Sequence, residues 1–140
     1  MFSWIKYIII HIILLMIGDT IWINTFGGPF YAEQLKEIGR FTAEGAFDIR
    51  VAPGMMVYLV MAMLLEVFIF RNGSIRTRNG SLGHAALLGF CVYGVFDFTN
   101  RGILEYYPMP MVIVDVVWGA ALFTFATFVH YMLRKQMNIL

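Results

Sequence analysis

Four long apolar runs, at about residues 4–26, 52–70, 82–104 and 111–133, dominate the chain. Each suffices to cross the hydrocarbon layer of a bilayer as a helix, which takes about 20 apolar residues for roughly 30 Å. A backbone in lipid must satisfy its own N–H and C=O groups, and a helix does so within one segment. The runs therefore predict an all-α, polytopic membrane protein: a four-transmembrane-helix bundle forming one domain over residues 1–140. Only 14% of residues are charged, against about 25% in ordinary soluble domains, and the mean hydropathy is +0.74. The first partner this predicts is the lipid bilayer.

The breaks between runs give the order of the elements. The first run begins like a signal peptide, but it is too long, contains Asp19 and lacks a small-residue cleavage site, so it reads as a retained helix. The second opens near Pro53 and stops at Arg71-Asn72-Gly73-Ser74, where charge and glycine end it. The loop that follows repeats Arg-Asn-Gly-Ser at 71–74 and 78–81, a local duplication. Runs three and four are joined by Glu105-Tyr106-Tyr107-Pro108-Met109-Pro110. Its prolines enforce a tight hairpin, and its two tyrosines suit a membrane interface. The longest connection, 27–51, carries most of the water-facing charge. Pro29 can open a helix there, with Phe30, Tyr31, Leu35 and Ile38 on an apolar face and Glu33, Lys36, Glu37 and Arg40 wet. That pattern predicts an amphipathic interfacial helix between helices one and two, or a connector with no ligand.

Four spans put both termini and the 71–81 loop on one side. That side holds six basic residues, Lys6, Arg71, Arg76, Arg78, Arg134 and Lys135, and the other four, Lys36, Arg40, Arg50 and Arg101. The excess predicts cytoplasmic termini, and for a bacterial source an inner-membrane location. The net charge of +1 and the absence of a basic stripe argue against nucleic acid as a partner. Cys91 is the only cysteine, which rules out an intrachain disulfide. His11, His84 and His130 have no standard metal spacing and read as interfacial or interhelical residues. No metal or other cofactor is expected.

Acids inside spans are costly, at roughly 2.5–3.5 kcal/mol for Asp at a helix centre. Four stand out here: Asp19, Glu66, Asp97 and Asp115. Glu66 lies five residues before Arg71, close enough to the boundary to reach headgroups or a basic loop residue. Asp19 and Asp97 each lie about 20 Å along their spans from the inner side, and Asp115 about 6–8 Å below the outer start of the fourth. The three aspartates thus share one layer near the outer leaflet. Positions three or four apart share a helix face, which groups Asp19 with Trp22, Asp97 with Asn100 and Arg101, and Asp115 with Trp118. One reading is a ligand or proton site of Asp19, Trp22, Tyr31, Asp97, Asn100, Arg101, Asp115 and Trp118. The other is an interhelical clasp, in which Arg101 pairs with one aspartate and neutral donors satisfy the rest.

The segments Gly18-Asp19-Thr20-Ile21-Trp22, Pro29-Phe30-Tyr31, Tyr93-Gly94-Val95-Phe96-Asp97-Phe98-Thr99-Asn100 and Asp115-Val116-Val117-Trp118-Gly119 together resemble domain-of-unknown-function family 2177. This is a group of small predicted membrane proteins. The resemblance covers nearly the whole chain and implies four membrane helices with the polar layer at the motifs. Residues 39–50 and Glu66 fall outside those motifs. Three function classes stay open. The first is a small-solute or proton-linked binding protein, acting in transport as a homo-oligomer. The second is an enzyme on a lipid or apolar metabolite, although no serine elbow, metal cluster or phosphate loop is present. The third is a noncatalytic subunit that packs against another membrane protein.

Overall fold

The computed structural model describes residues 3–45, 47–72 and 77–136. Among these residues there are five α-helices and two π-helical turns: α1 (Ser3–Trp22), a π turn (Ile23–Gly27), α2 (Gly28–Gln34), α3 (Val51–Leu65), a second π turn (Glu66–Phe70), α4 (Arg78–Ile103) and α5 (Met109–Gln136). Among the described residues there is no strand, only an isolated antiparallel bridge between Phe41 and Phe47. Four helical stretches are long and apolar enough to cross a membrane, and the chain is an all-α polytopic bundle.

The first stretch runs unbroken from Trp4 to Gln34. At 1.5 Å per residue it is roughly 46 Å long, so its far end projects beyond the hydrocarbon. The expected helix after Gly27-Gly28-Pro29 is present as α2 with Pro29 in its first turn, but no break separates it from α1. Proline lacks an N–H and crowds the carbonyl four residues back, and the wider turn before it makes room. There Gly28 donates to the Ile23 carbonyl, five residues away. Asn24 and Thr25 donate to the Thr20 and Ile21 carbonyls, each at 2.7 Å. The apolar face of α2 packs inward: Phe30, Tyr31 and Leu35 lie against Tyr107, Met111, Val112 and Val116. Ile38 is exposed.

Helix α4 starts earlier than the apolar run suggests because the Thr77 side chain caps it, accepting from the Gly80 N–H at 3.1 Å. The Arg-Asn-Gly-Ser copy at 78–81 is thus its first turn, while residues 73–76 of the loop, with Arg76, lie outside the described residues. Helices α4 and α5 form the most extensive pair, α5 packs on α1, and α1 on α3; the π turn ending α3 reaches both α1 and α4. At the centre of the α4–α5 hairpin a Cβ on Gly89 would overlap the Gly119 carbonyl, so small residues let the backbones touch. Leu15, Ala62, Leu65, Ala85, Leu122, Phe123 and Ala126 fill the core. Ile9, Ile13, Val60, Phe68, Val95, Phe96 and Val117 point outward. An exterior this apolar is what lipid contact requires.

Candidate functional site

The three aspartates come together near the end of the bundle that carries the 35–50 and 104–108 connections. Asp97 on α4 is fully buried, Asp115 on α5 is buried, and Asp19 on α1 is half-buried. Two Asp-x-x-Trp segments, Asp19 to Trp22 and Asp115 to Trp118, run on antiparallel neighbours and exchange partners. Trp118 Nε1 donates to Asp19 Oδ1 at 2.8 Å. Trp22 Nε1 donates at 2.9 Å to the Tyr31 hydroxyl, which donates at 2.6 Å to Asp115 Oδ1. The indoles of Trp22 and Trp118 stack between these pairs, with centroids 4.6 Å apart and planes 10° from parallel. A Cβ on Gly27 would collide with the Trp22 indole, so the glycine at the π turn is what lets that ring lie flat.

Asp97 takes its donor from the hairpin: the Tyr107 hydroxyl donates to Oδ1 at 2.5 Å. Burial, reinforced by the adjacent Asp97, holds the Tyr107 phenol above its ordinary range, so it remains a donor. Asp97 Oδ2 has no hydrogen-bond partner among the described residues, and the Asp115 carboxyl faces Asp97. Tyr58 on α3 faces Asp19.

The structure brings Asp19, Trp22, Tyr31, Asp97, Asp115 and Trp118 of the expected layer together. Asn100 is half-buried beside Tyr107. Arg101 is the correction: it is exposed in the last turn of α4 and, among the described residues, pairs with none of the aspartates. One residue beyond Asn100 on a 3.6-residue helix is a rotation of about 100°, which takes the guanidinium off the inward face. Phenols and indoles supply the donors instead. Tyr107 is a second correction. Tyr106 is exposed as an interfacial ring would be, but Tyr107 is buried, with its hydroxyl turned inward to Asp97. Glu66 is a third. It is buried beside His11 and does not reach out to headgroups.

Two cavities meet at this layer. One, of about 420 Å³, is a groove between α3 and α4 that opens on the apolar exterior, lined by Met56, Val57, Val60, Met61, Val92 and Phe96 and also by Tyr93 and Asp115. The other, about 270 Å³, is bordered by Asp19, Trp22, Tyr31, Tyr93, Asp115 and Trp118 and is covered by Phe47 and Ile49. That cover is the 39–50 segment. Its Phe41 and Phe47 rings stack at 4.8 Å, and Arg40 pairs with Asp48 across its base. No alternation or motif marks these residues, so the sequence held no signal for the role.

Neither the curated proteins nor the solved structures contain a match to the chain. The family described as predicted membrane protein, DUF2177, matches residues 4–132, which include every aspartate, tryptophan and tyrosine of the polar layer, and the chain belongs to that family.

Proposed function

We propose that the protein binds a small solute with an apolar body and a cationic or hydrogen-bonding head, and that protonation of the buried aspartates is linked to its binding. The observation that carries this reading is that Asp115 and Tyr93 line both cavities. A carboxyl group in an otherwise hydrocarbon-lined cavity suits a ligand that brings its own donor, because a buried charge needs a partner. Ionisable residues within spans mark substrate and proton paths, and the facing Asp97–Asp115 pair, which no Lys, Arg or His among the described residues balances, favours a working layer over a fully satisfied clasp. Two facing carboxyl groups kept from water hold one proton between them at lower cost than two charges. A cationic head entering beside them displaces that proton, which links binding to pH. Four helices leave little material for alternating access, so transport by this site calls for a homodimer. The excess of basic residues on the terminal side supports cytoplasmic termini.

A dansyl-tagged alkylamine titrated into the protein in lipid nanodiscs tests the reading. Saturable binding with proton release is expected, weakened at least about tenfold, or roughly 1.4 kcal/mol, in Asp115→Asn. Binding unchanged in both Asp115→Asn and Asp97→Asn, with both variants folded, would overturn it. The same apolar cavity supports a second reading, an enzyme acting on a lipid or apolar metabolite that enters between α3 and α4. Lipid composition altered by deletion, and restored by the wild type but not by Asp97→Asn, would put this second reading first.

A further inference from the structure

A second polar cluster lies toward the end of the bundle that carries the termini, where the chain has no recognised motif. His11 on α1, His130 on α5 and Glu66 at the π turn ending α3 are 0%, 1% and 4% exposed. The two imidazoles stack with centroids 4.5 Å apart and planes 25° from parallel. His11 Nδ1 is 4.0 Å from Glu66 Oε2, close enough to feel its charge and too far for a direct hydrogen bond. Both nitrogens of both rings, Glu66 Oε2 and Thr127 Oγ1 are buried with no hydrogen-bond partner among the described residues. An ordinary core histidine satisfies its ring nitrogens, and unpartnered polar atoms at this density mark a site.

We propose that His11, Glu66 and His130 form a site that binds one exchangeable proton, passed between imidazole and carboxylate through water. The stacked geometry argues against a metal ion, since lone pairs lie in the ring planes and near-parallel stacked rings do not aim them at one point. Among the described residues no group of three His, Cys, Asp or Glu side chains is arranged to hold one. Two imidazolium rings in contact repel, so the stack takes one proton and not two. With Glu66 ionised that proton makes the trio neutral. Moving it from His11 to Glu66 breaks an N–H and forms an O–H with no change in net charge.

The groups around the trio suit this role. Phe70 packs against both rings, at 4.9 Å from His11 and 4.1 Å from His130, and Tyr7 lies 5.4 Å from His130. Arg134 covers the cluster on the terminal side, 4.6 Å over the Tyr7 ring and 5.7 Å over Phe70. Lys6 sits over the outer ring, Tyr7, and Arg71 is the second cation near Glu66. Tyr131 lies tilted against Phe70, centroids 5.4 Å apart, and is tied to α4 through Ser81 at 2.8 Å. Arg134 and Arg71 balance the carboxylate when the proton leaves, Arg134 also repels charge on the two rings and so limits how much of the proton they hold, and the half-buried Arg134 lies between the trio and the terminal-side solvent.

The test is a pH titration of ¹⁵N-histidine protein in nanodiscs, from about pH 4 to about pH 9, with His84→Gln removing the signal of the exposed third histidine. The expected result is one proton-uptake step shared between the His11–His130 pair and Glu66, read as ring shifts of partial amplitude together with an infrared carboxyl band of complementary partial intensity that is absent in Glu66→Gln. Wild-type rings that stay in one protonation state throughout that range would overturn the proposal without need of any variant. So would Zn²⁺ alone shifting both ring signals of His84→Gln protein, which would make the cluster a metal site. The proposal does not rest on solute binding at the aspartates, and the dansyl-alkylamine result leaves it untouched.

Discussion

Tyr107 is the donor that the fully buried Asp97 depends on, through a 2.5 Å hydrogen bond that ties the 104–108 hairpin to the middle of the polar layer. Replacing it with phenylalanine leaves Oδ1 without that partner. Bonds of this kind in membrane bundles contribute about 0.6–2 kcal/mol, and Tyr107→Phe is expected to lose about that much in detergent unfolding titrations. The phenol also carries a pH signature. Burial first, and then the Asp97 carboxyl, raise it above the ordinary value of 10.0. The folded chain therefore keeps a proton that the unfolded chain gives up. Stability from this group is fully present below about pH 10 and declines as the pH rises further. Tyr107→Phe is expected to flatten that decline, and an equally steep alkaline loss in the variant would contradict the assignment. Arg101 teaches the complementary lesson. A cation next to a buried acid in sequence was a reasonable partner, but a one-residue step on a helix turns it away from its neighbour's face.

At the scale of elements, the two π turns each sit beside a polar cluster. The first, Ile23–Gly27, joins α1 to α2 and brings Tyr31 within reach of Asp115 while Trp22 stacks on Trp118. The second, Glu66–Phe70, buries Glu66 beside His11 and sets Phe70 against both imidazoles. Insertions of this kind recur at functional sites because they re-aim side chains. Gly27 tests the first turn: Gly27→Leu is expected to displace the Trp22 indole and abolish the circular-dichroism couplet of the stacked pair. Trp22→Phe gives the reference for its complete loss. A couplet that survives Gly27→Leu would mean that the indoles are held by something other than the turn.

For the whole molecule, the arrangement puts one polar layer near each end of a bundle whose exterior is apolar. Our placement of the termini in the cytoplasm predicts which layer faces which compartment. In a Cys91→Ala background, a cysteine at Lys36 is expected to react with an impermeant maleimide added outside intact cells, and one at Arg71 only after the membrane is opened. The reverse pattern would invert the assignment and exchange the compartments that the aspartate layer and the histidine cluster address.

The number of spans, the bundle class and the inward grouping of Asp19, Trp22, Asp97, Asp115 and Trp118 were legible in the chain itself. The cost of exposing backbone and charge to hydrocarbon acts residue by residue, and a helix repeats its faces at a fixed period. Tertiary structure decided which donor each acid receives, because hydrogen bonds between helices depend on rotation and register that no single helix specifies. Tyr31 meets Asp115 across 84 positions, and Trp118 meets Asp19 across 99. The same holds for His11, Glu66 and His130. Their spacing in sequence carries no signal, and only the packing of three helices at one level, with a π turn rotating Glu66 inward, makes them neighbours.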